Sequence, residues 1–266
     1  MRRHMHVVGA MVAAFLGARM LGATEVGVHD LPTRPGVTQR ILLLEPNKPT
    51  ASVILFSGGD GDVGIRPDGS VKHGGNFLVR TRQTWADQGF VVAVVDPPSD
   101  RQSAPYLSGF RQRAEHAADI KTVIAFLRQR KPLPVWLIGT SRGTQSAAAV
   151  AVALKDGGPD GLVLTSTILR DPLGRAVPAM PVDTLAIPVL VLHHEDDGCR
   201  LCPPGDLAKL MRELKTSTKE LVMVKGGRDK GDPCEAWAHH RYNGIEREVV
   251  GAIADWIRAH SGQAGD

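Results

Sequence analysis

The chain has 266 residues, a formal net charge of +4 and 42% hydrophobic residues. That is enough for one sizeable core, and the composition excludes a disordered, collagenous or coiled-coil chain. Three of the 32 Lys and Arg residues (Arg2, Arg3 and Arg19) fall in the first 23 positions, which hold no acid. The rest of the chain carries 29 basic against 28 acidic residues. With that balance, and no basic cluster interleaved with aromatics, nucleic acid is not an expected partner.

Residues 1–23 read as a secretory signal peptide. Arg2 and Arg3 start it, Val7–Leu16 is almost wholly apolar, and small residues lead to a cleavage site near Ala23. The apolar stretch is too short to span a bilayer, which takes about 20 such residues. No later stretch reaches that length, so stable membrane insertion is not expected after signal removal. The expected location is periplasmic or secreted, with residues 24–266 forming a single domain.

The remaining elements alternate. Short apolar runs stand at Ile41–Glu45, Ser52–Ser57, Phe90–Asp96, Val135–Gly139, Gly161–Thr165, Val189–His193 and Leu221–Val224. They are continuous rather than alternating, which predicts strands covered on both faces, as in a parallel sheet. Helical spacing of apolar residues marks Phe77–Gln88, Ala114–Arg130, Thr144–Lys155, Leu207–Lys215 and Ile245–His260. The fold class is therefore α/β, a mostly parallel central sheet with helices on both faces. Ligands of such sheets bind beyond the carboxyl ends of the strands, so chemistry is sought in the loops there.

One loop carries a strong signal. Gly139-Thr140-Ser141-Arg142-Gly143 follows the strand Val135–Ile138 and precedes a helix of small residues. A strand-to-helix elbow with glycines two places either side of a serine is the setting of an exposed nucleophile. The helix N-terminus below it favours developing negative charge. The bland alternative is a glycine-rich turn with an incidental serine.

A serine hydroxyl needs a base, and the base an orienting acid. Both follow in chain order. After Val189–Leu192 comes His193-His194-Glu195-Asp196-Asp197, where Asp197 is favoured as the acid over Asp196 and then Glu195. Before the last helix comes His239-His240, where His240 is favoured as the base because it stands nearer the helix. An oxyanion hole takes backbone N–H donors. The N–H of Arg142 is one. Gly59, in Ser57-Gly58-Gly59-Asp60-Gly61, is the choice for the other, with Gly58 and Asp60 close behind. That loop is not a phosphate loop, since no Gly-Lys-Ser/Thr follows it.

The cysteines are Cys199, Cys202 and Cys234. A disulfide between Cys199 and Cys234 would tie the acid loop to the base loop and leave Cys202 free. A Cys199–Cys202 pair is the alternative, disfavoured by Pro203-Pro204 directly after it. A metal site built from His193, His194, Asp196, Asp197, His239, His240 and the thiols is also disfavoured, because adjacent residues point in different directions. No metal or cofactor is expected.

Leu55-Phe56-Ser57-Gly58-Gly59, Ile138 to Gly143, Val191 to Asp197 and the His239-His240 loop together resemble the α/β-hydrolase superfamily over roughly residues 38–260. More narrowly, the chain looks like exported bacterial members of it. The resemblance implies a Ser141–Asp197–His240 triad acting on a small-molecule acyl substrate. Three departures concern substrate class more than catalysis. Ser57 stands where lipases and esterases often have histidine, and His194 where glycine is common. The 161–185 region, where larger members carry a lid, is short, so a minimal or absent lid is expected. The expected activity is ester hydrolysis; peptidase or amidase activity and non-catalytic ligand binding are the alternatives.

Overall fold

The computed structural model describes residues 24–172 and 176–262. The signal peptide expected at 1–23 lies outside them. A hairpin opens the described chain, β1 (Glu25–Arg34) and β2 (Val37–Glu45), followed by β3 (Ala51–Phe56). Two short helices, α1 (Phe77–Arg80) and α2 (Arg82–Asp87), lead to β4 (Phe90–Val95). Then come α3 (Ala114–Arg130), β5 (Val135–Thr140), α4 (Gly143–Ala153) and β6 (Gly161–Thr165). The chain continues through β7 (Val189–His194), α5 (Leu207–Glu213), β8 (Lys219–Val224) and α6 (Glu246–His260).

The strands form one sheet in the order β1-β2-β4-β3-β5-β6-β7-β8. From β4 onward every neighbouring pair is parallel, while β1–β2 and β2–β4 are antiparallel. Side chains alternate along each strand, so each strand feeds two cores. In β3, Ile54 and Phe56 pack with Ile120, Val123 and Ile124 of α3 and with Ala147 of α4. Val53 and Leu55 pack with Phe77 and Trp85 of α1 and α2 and with Ile253 and Ile257 of α6. Helices therefore cover both faces, as the continuous apolar strands require.

Two elements differ from the sequence expectation. The strand β1 was not expected: its EVGVHDLPTR sequence mixes polar residues and Pro32 into an edge strand paired only with β2. An edge strand facing water has no need of an apolar run. The single helix expected over Phe77–Gln88 is two, broken at Thr81, whose φ of −94° and ψ of 4° leave the helical region. Its hydroxyl donates to the Phe77 carbonyl at 2.7 Å, an alternative to the helical ladder. Between β6 and β7 the described residues form only two short 3₁₀ turns, Val177–Ala179 and Val182–Thr184.

Candidate active site

The elbow after β5 is built by close packing of backbone. A Cβ on Gly143 would lie 2.0 Å from the Phe56 carbonyl oxygen, and one on Gly139 would lie 2.5 Å from the Gly143 oxygen. No side chain fits at either position, so α4 can approach both its own strand and the end of β3. Between the glycines Ser141 has φ 53°, a left-handed conformation that costs a non-glycine residue energy. The surroundings fix it. The Ser141 N–H donates to the Thr165 carbonyl at 3.1 Å, and its carbonyl accepts from the Thr144 hydroxyl at 2.6 Å.

Of the residues expected to support Ser141, Asp197 lies just after β7 and His240 in the segment between β8 and α6. Of the three acids after β7, Glu195 and Asp196 are exposed and Asp197 is buried. Asp197 Oδ2 lies 2.8 Å from His240 Nδ1. Burial alone would raise its pKa, but bonds from His193 and His240 outweigh that and hold it near 2. It is therefore a carboxylate at neutral pH, and it keeps the His240 proton on Nδ1. Nε2 is then the acceptor. It is buried and has no hydrogen-bond partner among the described groups, Ser141 included. Burial lowers the His240 pKa against the opposing pull of Asp197, which favours the neutral ring.

His239 takes no part in that contact. It stacks on His194 at 4.3 Å between centroids and 5° between planes. Both nitrogens of His194 are engaged, Nε2 with the Gly226 carbonyl at 2.8 Å and Nδ1 with the Asp196 N–H at 3.0 Å. It therefore offers no lone pair beside Asp196 and His239. Cys199 and Cys234 form a disulfide, with an S–S distance of 2.06 Å. Cys202 is a buried free thiol that donates to the Ser166 carbonyl at 3.2 Å.

A cavity of about 360 Å³ lies beside the elbow. Gly59, Arg142, Arg111 and Gln145 line it, but not Ser141 or His240, which are only 6% and 0% exposed. Gly59 adopts φ 62° and has open space on its side-chain face. The N–H of Arg142, which caps α4, has no intrahelical acceptor, as for the first N–H groups of any helix.

Further side chains support these groups through contacts the sequence does not show. His193 shares its Nε2 between Asp197 Oδ2, at 3.2 Å, and the Cys202 carbonyl, at 2.9 Å; that carbonyl marks Nε2–H as the donor. Ser166, at φ 44°, gives its hydroxyl to the His240 carbonyl at 2.6 Å, while Tyr242 gives its own to the Leu192 carbonyl at 3.0 Å. Arg111 joins the Ser57–Gly59 loop to α4. The Ser166, Tyr242 and Arg111 contacts span tens of residues, whereas those of His193 reach only four and nine residues along the chain.

No protein-family model matches the chain, and no curated protein matches it by sequence. Its structure is similar to that of a lidless α/β serine hydrolase from Xanthomonas campestris, at 15% identity over 92% of this chain and 98% of that one, with a TM-score of 0.59. It is also similar to a cold-adapted esterase from an Arctic intertidal metagenomic library, at 17% identity over 90% and 98%, with a TM-score of 0.56. A third similar structure is Est1E from Butyrivibrio proteoclasticus, at 14% identity over 89% and 100%, with a TM-score of 0.59. At such identities the likeness is one of fold. Strand order, serine elbow and structural relatives together give this chain the α/β-hydrolase fold.

Proposed function

We propose that the protein is a serine hydrolase that cleaves an ester or related acyl bond through an acyl-serine intermediate. The observation that carries this reading is the strained Ser141 elbow flanked by a buried Asp197–His240 pair whose Nε2 has no other partner. In the proposed reaction Ser141 Oγ attacks the acyl carbon as Nε2 takes its proton. The tetrahedral oxyanion is held by N–H groups of Gly59 and Arg142. Its collapse breaks the bond to the leaving group, which receives the proton from Nε2. Water then attacks the acyl carbon, giving its proton to Nε2; collapse breaks the Ser141 Oγ–acyl bond, Nε2 returns the proton to Oγ, and the acid leaves. Asp197 keeps the imidazole in the required tautomer and stabilises its cationic form. The Ser141–His240 hydrogen bond is absent from the resting structure and forms as substrate is bound, as such bonds often do.

The test is labelling by a fluorophosphonate probe together with turnover of short acyl esters. Wild type is labelled at Ser141, and Ser141→Ala loses both labelling and turnover. Labelling that persists in Ser141→Ala overturns the assignment. We also propose that residues 1–23 direct export, which the disulfide supports, since such bonds persist in oxidising compartments. Mass spectrometry of the N-terminus of exported protein tests it, and a chain still beginning at Met1 refutes it.

A further inference from the structure

Positive charge stands around Ser141 in a way the mechanism above does not use. Among the described arginines only Arg111 and Arg241 are buried, at 5% and 6% exposure. Several partly buried arginines elsewhere have carboxylate partners: Arg34 lies 2.8 Å from Asp119, and Arg80 lies 2.9 Å from Glu246. Neither Arg111 nor Arg241 has a carboxylate within ion-pair distance among the described residues. Taking a cation out of water without a counter-ion is among the least favourable arrangements in a protein. Here it occurs twice, both times on the loop that begins at Ser57.

Arg111 lies in the cavity wall together with Arg142 and the carboxylates of Asp60 and Asp171; Asp171 is paired with Arg142 at 3.0 Å, and Asp60 is not within ion-pair distance of Arg111. Its Nη1 donates to the Ser146 hydroxyl at 2.8 Å, and its Nη2 donates to the carbonyls of Ser57 at 3.3 Å and Gly59 at 3.1 Å. All three acceptors are neutral. Burial and nearby Arg142 bring its pKa down to about 9 against the pull of Asp60, so it remains a cation at neutral pH. Arg241 approaches the same loop one residue along. A Cβ on Gly58 would lie 3.0 Å from Ser141 Cβ and 3.1 Å from Arg241 Nη2. The buried Nε of Arg241 has no hydrogen-bond partner among the described groups. The guanidinium braces the loop through neutral acceptors and brings with it a charge that those acceptors leave unmatched, which a negative group entering the site would meet.

We propose that the site takes esters bearing a carboxylate near the scissile bond, with Arg111 on the cavity wall as its recognition partner and Arg241 adding positive potential beside the nucleophile. The turnover part of this rests on the serine-hydrolase reading; the binding of the anion does not. The rival recipient of the charge is the transient oxyanion alone, which would favour every ester alike.

The experiment compares matched esters with purified full-length protein. Monomethyl succinate is set against methyl butyrate, and 4-carboxyphenyl acetate against phenyl acetate, so that the charge sits on the acyl side in one pair and the alcohol side in the other. In wild type at least one anionic member has the higher kcat/KM, by about tenfold or more. Arg111→Gln lowers that preference by on the order of tenfold to a hundredfold, mainly through KM. Arg111→Lys keeps part of it, and Arg101→Gln, at an exposed position outside the cavity lining, keeps all of it. Equal or better turnover of the neutral member in both pairs overturns the proposal. So does a fall in kcat in Arg111→Gln that is the same for charged and neutral esters. Succinate with wild type serves where a variant fails to fold. Competitive inhibition of methyl butyrate turnover and a raised Tm support the subsite, and absence of both overturns it. If no ester is turned over and Ser141 is not labelled, the hydrolase reading fails, while the Tm response to succinate still decides the subsite.

Discussion

Around Ser141 the constraint is backbone against backbone: Gly143 lies against the Phe56 carbonyl and Gly139 against Gly143, with no side chain able to enter. Around Asp197 and His240 the constraint lies between side chains. His193 and His240 converge on one carboxylate, Ser166 holds the His240 carbonyl, and a disulfide joins the two loops. The first arrangement is set within a five-residue stretch and one neighbouring strand. The second draws on residues from β6 to α6. On the proposed mechanism the two sides should therefore fail differently, the proposed nucleophile side by losing structure and the proposed acid–base side by losing rate.

The largest expected effect is on the acid–base side. Asp197→Asn removes the anion that fixes the His240 tautomer, and kcat falls by about 10³–10⁴-fold. Steady-state kinetics measure it; a loss under tenfold would mean that another group orients His240. On the other side, Gly143→Ala forces a methyl onto a backbone oxygen that cannot yield, and stability falls by about 4 kcal/mol. Thermal unfolding reads this as a drop of roughly 10 °C in Tm. An unchanged Tm would show that the close approach of α4 to β3 is not needed.

The disulfide belongs to the proposed acid–base side yet acts on stability. Replacing both Cys199 and Cys234 by serine costs about 2–4 kcal/mol in denaturant unfolding. The accompanying loss in kcat is smaller than in Asp197→Asn, since the 2.8 Å Asp197–His240 bond remains to hold the pair. A kcat loss equal to that of Asp197→Asn would show that the covalent link alone sets the register. The smallest effect is in pH. His240 must be neutral to accept a proton, and burial holds its pKa below the ordinary histidine value of 6.5. Under the proposed mechanism activity rises with pH through that lowered value, so at pH 6.5 more than half the plateau rate is expected to remain. The linked stability term has the same sign. The unfolded chain takes up a proton on this histidine at a higher pH than the folded one, so stability falls as pH drops below 6.5. An acid limb centred above 6.5 in kcat/KM against pH would contradict this.

The same division explains what was legible in the sequence. The elbow could be read because its requirements are local: two glycines, a serine, an apolar strand before and small residues after. The strands flanking it could be read because burial on both faces leaves long apolar runs. Chain order narrowed the acid and base to adjacent candidates. Only packing separates Asp197 from Asp196, and His240 from His239, since burial of alternate residues depends on where the loop turns. The Ser166 bond to His240 and the Arg111 bonds to Ser146 and Gly59 were hidden because the partners lie 74, 35 and 52 residues away; His193 was hidden because nothing local distinguishes it from His194 beside it. The edge strand β1 was hidden because water, rather than protein, covers much of its surface.

The cysteine pair closes a ring whose two ends are 35 residues apart. Inside the ring lie α5 and β8, the strand at the open edge of the sheet, several of whose residues face water. Edge strands are where a sheet frays first, because they have neighbours on one side only. In this chain fraying of β8 cannot carry the acid loop away from the base loop, because the ring's closure lies beside Asp197 rather than within the strand. The covalent tie thus stands between the least protected strand of the sheet and the Asp197–His240 pair at its root.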